Sequence, residues 1–248
     1  MSTLAADELK ACCASVYASA VARFLLGDSF HPGGAALTYR LATALAVGPG
    51  SVVADVGCGP GTSAVRVAEE TGCDVVGIDL QPPDGTGHPR VRFVHGDAEA
   101  LPLADGSVDG VLCECALCTV PDKAAAASEI ARVLRPGARL ALSDVIAVPE
   151  RLPPELTTLQ AWVACIGDAR PLEEIALLFE QAGLAVEATE RHDEALAALL
   201  DRIDGRLHLG EMLAQAVPTS RARELVAAAR SVLEAGSLGY AVVIGRKP

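Results

Sequence analysis

The sequence predicts an α/β fold built on a mostly parallel sheet, and three observations lead to that prediction. Short apolar, β-branched runs alternate along the chain with amphipathic stretches of helical period. The first apolar run, residues 52–56, is followed by a glycine-rich turn and then by a helical stretch that begins at Thr62. The chain has 248 residues, of which 51% are hydrophobic, which is enough for one large α/β domain.

The composition narrows the classes of function. Acidic residues outnumber basic ones by 32 to 20, and no cluster of Lys and Arg stands out, so we expect no nucleic-acid partner. No apolar run is long enough to span a bilayer, and the first ten residues do not resemble a signal peptide, so we expect no membrane association. The 8 cysteines are not spaced like a disulfide framework, which predicts free thiols in a reducing cytoplasm.

The first fifty residues precede the glycine-rich turn and are predicted to be helical. Residues 4–26 have helical spacing of apolar side chains and predict one helix. Residues 28–34 form a loop rich in helix breakers, and this loop contains His31. Residues 35–45 predict a second helix, after which Pro49 and Gly50 lead into the first strand.

The glycine-rich turn carries the most specific signal in the sequence. Gly57, Gly59 and Gly61 follow the strand at alternate positions, whereas a nicotinamide or flavin fingerprint requires glycine where Thr62 stands. Asp55 at the strand end would repel a pyrophosphate and attract a cation. S-adenosylmethionine (SAM) has no phosphate but carries a sulfonium and an ammonium. At this point the sequence resembles the class I SAM-dependent methyltransferases, a Rossmann-like family in which this run is the first motif.

A second cofactor signal follows the next strand. Residues 74–78 predict a buried strand that ends at Asp79, about twenty residues beyond the glycine turn, where a carboxylate can accept both ribose hydroxyls. The resemblance implies that this position holds the ribose of SAM and that Leu80 adjoins the cofactor. Residues 81–90 contain three prolines and two glycines, so we expect an irregular connection instead of the usual crossover helix.

The adenine site is implied by the run that follows the third strand. Residues 91–94 predict that strand, and it leads into the sequence GDAEALP at residues 96–102. In the resembled family this run places an aspartate against the adenine amino group and the next backbone N–H against a ring nitrogen. Here those residues are Asp97 and Ala98. The resemblance also implies that Glu114, after the fourth strand, borders the cofactor.

The remaining elements complete the predicted sheet and its domain organisation. Further strands are expected at residues 108–113, 138–143, 184–190 and 239–244, and helices at 124–134, 154–166 and 172–182. The resulting α/β fold is a mostly parallel seven-stranded sheet with an N-terminal helical lid and a C-terminal helical insertion. The predicted units are a lid (1–50), a SAM-binding core (51–192), an insertion (193–236) and the last strand (237–248). The insertion is expected to cover the substrate side or to form the interface of a possible homodimer.

Several cysteines form the second informative pattern. Cys113, Cys115 and Cys118 make a C-x-C-x-x-C run at the end of the fourth strand. Strand alternation predicts that Cys113 and Cys115 lie on the same side, and Cys118 is expected at a helix start, where a thiol pKa can be lowered. Thiolates are ligands for soft metals and metalloids. Cys73 and Cys113 are expected to be core residues, and Cys58 to have no thiol role.

The substrate side shows a partial resemblance to arsenite methyltransferases. Cys165 lies in a segment similar to a cysteine-containing run of that family, and Cys12 and Cys13 in the lid are candidates to converge with Cys115 and Cys118. In that family cysteine thiolates hold trivalent arsenic, whose lone pair attacks the SAM methyl group. This chain departs from the pattern: Ala64 stands where well-known members have a cysteine, and no partner for their C-terminal cysteine is present. No resident metal is expected.

Three hypotheses of function therefore stay open. The first is methylation of trivalent arsenic or another thiophilic element, which requires several cysteines near the SAM methyl group. The second is methylation of a small organic metabolite at carbon, nitrogen or oxygen, with His31 or Glu114 as a base. The third is a non-catalytic protein that binds SAM or a metal. A dehydrogenase is disfavoured by the glycine spacing and by Asp55.

Overall fold

A seven-stranded sheet forms the centre of the structure, a computed structural model that describes residues 5–27, 29–85, 87–214 and 220–248. The strands are β1 (Val52–Val56), β2 (Asp74–Asp79), β3 (Val91–His95), β4 (Val108–Glu114), β5 (Leu134–Ala147), β6 (Ala185–Arg191) and β7 (Leu238–Arg246). Their order in the sheet is β3-β2-β1-β4-β5-β7-β6. Only β7 runs antiparallel to its neighbours. The predicted mostly parallel seven-stranded α/β fold is confirmed.

Helices cover both faces of this sheet. They are α1 (Ala6–Tyr17), α2 (Ala20–Leu26), α3 (Gly34–Leu45), α4 (Thr62–Thr71), α5 (Lys123–Val133), α6 (Leu159–Val163), α7 (Leu172–Gln181), α8 (Asp193–Ala214) and α9 (Ser220–Glu234). Between β2 and β3, the described residues form bends and turns without a helix, as the prolines and glycines predicted. Val217 and Pro218, between the two helices expected in the insertion, lie outside the described residues.

The single helix predicted for residues 4–26 is wrong, because the chain breaks at Ala18 and Ser19 into α1 and α2; Leu4 lies outside the described residues. The Ser19 side chain accepts a hydrogen bond from the backbone N–H of Ala22 at 3.1 Å and so caps the second helix. Within the described ranges, no helix is long and apolar enough by itself to cross a membrane. Taken together, α1 and α2 pass that test of length and composition, with a bend of 65° between them.

Two other predicted elements differ in extent. Strand β5 is longer than residues 138–143, because it begins at Leu134 and extends to Ala147, where it pairs with Leu238 of β7. The helix predicted for residues 154–166 is instead a 3₁₀ turn, Pro154–Thr157, followed by the short α6. The Thr158 side chain caps α6 by accepting a hydrogen bond from Ala161 N–H, which separates the two pieces.

Two apolar cores, one on each face of the sheet, fix the helices. One core includes Leu41 of α3 and Val67 of α4, and it continues under α8 and α9. The other includes Ile130 of α5 and Phe179 of α7. These cores hold the carboxyl ends of β1, β2 and β4 side by side at one edge, which is where ligands bind in open α/β sheets.

The helices of the insertion pack against the N-terminal helices. The guanidinium of Arg206 in α8 donates a hydrogen bond of 2.8 Å to the carbonyl oxygen of Phe24 in α2. Gly27 ends α2 with a φ of 83°, and a Cβ there would lie 2.8 Å from the same guanidinium. The chain therefore connects α8 to α2, and through α2 to the helix α1 that lies over the sheet edge.

Candidate active site

A cleft opens at the carboxyl ends of β1, β2 and β4, with α1 on its opposite side. The predicted cofactor residues that line it are Asp55, Gly57, Gly59, Asp79, Leu80, Asp97, Ala98 and Glu114. Each of them lies at a strand end or in the turn that directly follows, so short segments of sequence position all of them. The predicted residue Gly61 does not line this cleft.

Glycine is needed at different positions of the turn for different structural reasons. The backbone N–H groups of Gly57 and Cys58 donate to the carbonyl oxygen of Ile78 at 2.8 and 3.1 Å, which holds the turn against β2. Gly59 has a φ of 50° and open space where a Cβ would stand, so a ligand can approach its backbone. A Cβ on Gly61 would lie 2.3 Å from the ring of Phe93. The prediction that Gly61 serves the ligand is therefore corrected: packing against Phe93 requires it.

Asp79 connects the glycine turn to the end of β2. Its Oδ2 accepts a hydrogen bond of 2.9 Å from the backbone N–H of Gly59, and its Oδ1 accepts one of 2.9 Å from Gln81. Each of these two carboxylate oxygens has a further lone pair, which can accept another hydrogen bond. The side chain is therefore oriented by the backbone and keeps acceptor capacity towards the cleft, as a ribose-binding carboxylate requires.

Buried carboxyl groups lie beside the glycine turn. The Asp55 carboxyl is 2% exposed, and its Oδ2 has no hydrogen-bond partner. Burial, reinforced by the carboxylates of Glu114 and Asp79, holds the pKa of Asp55 well above its usual range. An unpaired buried carboxyl group among like charges is stabilised by a cation. The ammonium and sulfonium of SAM are such cations, so the residues present fit this cofactor.

Asp97 is contacted by a residue that the sequence analysis did not identify. The Lys10 ammonium, on α1, donates hydrogen bonds of 2.6 Å to Asp97 Oδ2 and 2.8 Å to Glu99 Oε2. Asp97 Oδ1 accepts from the backbone N–H of Glu99 at 3.0 Å. The predicted adenine carboxylate is therefore oriented by a lysine from a distant helix.

His31 and Glu114 form a buried pair on the wall of the cleft. The two side chains are 6% and 3% exposed, and His31 Nε2 lies 3.4 Å from Glu114 Oε2. Nδ1 of the imidazole lies 3.0 Å from the carbonyl oxygen of Pro32, which can only accept a hydrogen bond. The hydroxyl of Thr38 donates to the Glu114 carboxylate at 3.1 Å. The carboxylate and the carbonyl thus hold the imidazole in one orientation, with Nε2 facing acidic and hydroxyl groups.

Three thiols meet at the inner end of the same cleft. The Sγ atoms of Cys115, Cys118 and Cys165 all lie within 4.8 Å of one another. Cys115 follows β4 and lines the cleft, Cys118 lies in a 3₁₀ turn, and Cys165 follows α6. We refer to these three residues as the thiol cluster. Three predicted substrate cysteines are therefore brought together, and sulfur ligands in such an arrangement suit soft metals and metalloids.

The backbone at the thiol cluster is unusual. Cys115 has a φ of 55° and Cys165 a φ of 65°, and the described residues contain one other non-glycine with positive φ, Ala46. The left-handed conformation breaks strand alternation after Glu114. As a result Cys113 packs in one core and Cys115 against the other, so the prediction that they share a side is wrong. Strained backbone of this kind is concentrated at functional sites.

The thiols of the cluster have divergent acidities. Hydrogen bonds from Cys115 and then Cys118 hold the pKa of the Cys165 thiol well below its usual range. Burial, followed by hydrogen bonds to Cys115 and Cys165, holds the pKa of Cys118 well above its usual range. The predicted lowering of the Cys118 pKa is therefore wrong. Of the three thiols, Cys165 is the one whose ionisation its neighbours favour.

Polar groups around the thiol cluster hold it in place. The hydroxyl oxygen of Tyr17, on α1, lies 3.1 Å from Cys165 Sγ. The backbone N–H of Cys118 donates to Asp144 Oδ2 at 2.9 Å, so the buried aspartate fixes the 3₁₀ turn. Burial and then the charge of Cys165 raise the pKa of Asp144 to about 7. Asp144 itself lies within β5, so the sheet and the 3₁₀ turn are connected through this carboxyl group.

The other cysteines lie apart from the thiol cluster. Cys13 lines the cleft, and burial, followed by the charges of Cys165 and Cys12, raises its pKa to about 12. Cys12 is half-buried and is not one of the three clustered residues, which corrects the expectation that it joins them. Cys73 and Cys113, at 0% and 2% exposure, are core residues as predicted.

Comparison with known proteins establishes the class of protein that this cleft belongs to. The sequence profile of a family described as "Methyltransferase domain" matches residues 54–142. The 27-O-demethylrifamycin SV methyltransferase of Amycolatopsis mediterranei is 31% identical over 230 residues, which cover 86% of this chain and 83% of that protein. The chain belongs to the class I SAM-dependent methyltransferases, and SAM is its cofactor.

One further sequence relative and one solved structure are also similar to this chain. The arsenite methyltransferase of Halobacterium salinarum is 30% identical over 191 residues, 71% of this chain, and the chain spans 48% of that protein's length. A Haemonchus contortus phosphoethanolamine N-methyltransferase, solved with phosphomonomethylethanolamine and S-adenosylhomocysteine, aligns over 98% of this chain and 59% of its own, with a TM-score of 0.75 at 19% identity. This second likeness shows a shared fold.

Proposed function

We propose that this methyltransferase acts on a trivalent thiophilic element, with arsenic as the first candidate, held by the thiol cluster. The observation that carries the proposal is the approach of three sulfur atoms to within 4.8 Å of one another beside the cofactor cleft. Similarity to an arsenite methyltransferase of Halobacterium salinarum supports the same acceptor. Trivalent arsenic binds three thiolates in a pyramid, which leaves one lone pair free.

The ligand residues prepare the acceptor in a defined order. Cys165, whose pKa the neighbouring thiols lower, makes the first bond to the element. Cys118 and Cys115 then lose their protons as they bind, because metal and metalloid binding to thiols releases protons. Cys115 lines the cleft, so the bound element lies next to the cofactor. The main contribution of the protein is the proximity and alignment of the two reactants.

The transfer step balances as a displacement followed by a reduction. Bound SAM supplies an electrophilic methyl group: the lone pair of the element forms a bond to that carbon while the carbon–sulfur bond breaks, and its electrons stay on sulfur. Arsenic changes formally from trivalent to pentavalent in this step. Two molecules of a small thiol supply the two electrons that restore the trivalent state. They lose two protons and join as one disulfide, and one cysteine thiolate leaves the element.

A turnover assay with matched cysteine variants tests this proposal. Purified protein is incubated with SAM, arsenite and glutathione, and methylated arsenic is detected by mass spectrometry. We expect product from the wild type and from Cys12→Ser, and about a hundredfold less from Cys118→Ser and Cys165→Ser. Sinefungin, a SAM analogue, should bind all four proteins with similar affinity. Absence of product from a wild type that binds sinefungin tightly would exclude arsenite as the acceptor.

A second candidate is methylation of an organic acceptor, and the His31–Glu114 pair favours it. Both side chains are buried and line the cleft, and the imidazole Nε2 lies 3.4 Å from the carboxylate. An imidazole oriented in this way can remove a proton from a hydroxyl group. The 27-O-demethylrifamycin SV methyltransferase, by its name, acts on such an organic molecule.

The two candidates predict opposite variant profiles. If a hydroxylated aromatic compound is methylated, activity should fall by about two orders of magnitude in His31→Asn, the typical contribution of a general base. The same activity should persist in Cys118→Ser, because a thiol cluster has no part in that reaction. A loss of both activities in Cys118→Ser would contradict the organic-acceptor candidate.

A further inference from the structure

One face of α1 forms a wall of the cleft along much of the cleft's length. Lys10, Cys13, Ala14 and Tyr17 all line the cleft. Their spacing of three, four and seven residues places them on the same side of a helix. Seven residues of helix span about 10 Å, so a single rigid element extends from the predicted adenine site to the thiol cluster.

Two polar anchors hold the ends of this face. At the adenine end, the Lys10 side chain is 11% exposed and pairs with both Asp97 and Glu99, at 2.6 and 2.8 Å. At the thiol end, the Tyr17 hydroxyl donates to the carbonyl oxygen of Val163 at 2.8 Å and lies 3.1 Å from Cys165 Sγ. The first anchor contacts the cofactor site and the second contacts the acceptor site.

Apolar packing contributes little to the position of α1. Cys13 is the one residue of its twelve that is buried, whereas α3, which also has twelve residues, buries five. A helix with few buried apolar side chains has a low free energy of local opening. The two anchors therefore account for much of the free-energy difference between an open and a closed position of α1. Opening the helix breaks both anchors.

We propose that α1 is a clamp that couples the two ends of the cleft. Cofactor bound under the clamp stabilises the closed helix and with it the contact between Tyr17 and Cys165. Occupation of the acceptor end stabilises the Lys10 anchor in return, because coupling between two sites is reciprocal. The coupling concerns the helix and not the identity of the acceptor, so it holds for either candidate reaction.

Alkylation of Cys165 reports on the clamp without any acceptor. The residue is 3% exposed and does not line the cleft, so iodoacetamide reaches it when the structure opens. Rates are measured by peptide mass spectrometry, with and without saturating sinefungin. In the wild type we expect sinefungin to slow the alkylation of Cys165 by about fivefold or more.

Variants at the adenine end separate coupling from simple shielding. In the ligand-free protein, Lys10→Met should increase the rate of Cys165 alkylation by about fivefold. At saturating sinefungin this variant should lose most of the protection of Cys165. Lys10→Arg keeps the charge and should keep the protection, while Glu99→Gln removes one of the two partners and should give an intermediate result. Ser15→Ala, a change at an exposed position of the same helix, is the matched control and should behave as the wild type.

Direct shielding gives a different outcome that overturns the proposal. If saturating sinefungin protects Cys165 equally in Lys10→Met and in the wild type, α1 does not transmit the effect. The same conclusion follows if sinefungin leaves the wild-type rate unchanged. A thermal melt of each variant identifies any global loss of folding, and in that case Lys10→Arg and Glu99→Gln carry the test.

Discussion

The two ends of the cleft are built in different ways. At the cofactor end, each residue predicted to bind the cofactor lies at a strand end or in the adjoining turn, and Asp79 is oriented by backbone N–H groups of Gly59 and Gln81. At the acceptor end, Cys115 and Cys165 come from segments fifty residues apart in the chain. The cofactor site is therefore local in sequence, whereas the thiol cluster depends on how α6 packs against the end of β4.

Charge distinguishes the two ends as clearly as architecture does. Asp55 and Glu114 are buried carboxyl groups beside the cofactor turn, and their mutual repulsion contributes to the raised pKa of Asp55. In the thiol cluster the pKa of Cys165 is instead lowered, first by hydrogen bonds from Cys115 and Cys118, with the Lys123 ammonium among the smaller causes. One end suits an organic cation and the other a soft electrophile. When one ligand is present alone, a substitution within one site should therefore change mainly the binding of that site's own ligand.

The largest expected effect concerns the thiol cluster. Cys118→Ala removes one of three sulfurs, and arsenite affinity should fall by about a hundredfold or more, because a two-sulfur site lacks the third bond. Isothermal titration with arsenite measures this. Sinefungin affinity should change by less than about twofold. Cys12→Ala is the control for the loss of a thiol, and equal arsenite affinity in Cys118→Ala and the wild type would contradict the cluster as the binding site.

The next effect concerns the cofactor end. Asp79→Ala removes the proposed ribose acceptor and the partner of two backbone N–H groups, so sinefungin affinity should fall about 10–100-fold, in line with hydrogen bonds to a charged group. Arsenite affinity should stay within about twofold of the wild type. Asp74→Ala, at the other end of the same strand, is the control. If Asp79→Ala lowered the affinities for arsenite and for sinefungin equally, the two ends would not be separate sites.

A smaller effect distinguishes two glycines within the cofactor turn. An alanine Cβ at Gly61 would lie 2.3 Å from the Phe93 ring with φ at 80°, so unfolding free energy should fall by about 2–4 kcal/mol. At Gly59 no atom lies within 4 Å of the position of a Cβ. Gly59→Ala should therefore lower the unfolding free energy by only about 1–2 kcal/mol. Urea denaturation measures both. Sinefungin affinity should fall more in Gly59→Ala than in Gly61→Ala, because Gly59 and not Gly61 lines the cleft.

The smallest effect is a dependence of stability on pH. The pKa of Asp55 is raised in the folded protein, which therefore binds an extra proton between the unfolded and folded pKa values. Stability of the ligand-free protein thus falls as pH rises from about 4 through the folded pKa. Asp55→Asn cannot ionise, so its melting temperature should exceed that of the wild type at pH 8, by about 2–4 °C for each kcal/mol.

Two further observations complete that test. Below about pH 4 the two proteins should melt at similar temperatures, because Asp55 is then protonated in both folded and unfolded states. Asp55→Asn should also bind the cationic cofactor analogue more weakly than the wild type. A variant that is less stable than the wild type at pH 8 would show that Asp55 is stabilised as an anion in the absence of ligand.

Most of the sheet was predictable because its strands are defined by local patterns. Each of the seven predicted strands is present, since buried parallel strands are short apolar runs bounded by turn residues. The break between α1 and α2 was not predicted, because Ser19 lies in a sequence with continuous helical spacing and no glycine or proline. An N-cap serine within such a run becomes decisive when packing bends the chain there.

The sequence by itself determined the order of the strands' apolar runs and the cofactor residues from Asp55 to Asp97, because strand ends and glycine turns position those groups locally. Tertiary structure decided which cysteines meet and which of them has a lowered pKa. The left-handed backbone at Cys115 and the approach of Cys165 arise from packing between segments far apart in sequence. The contacts of Lys10 and Tyr17 have the same origin, since a helix that precedes the sheet reaches both sites only after the chain has folded.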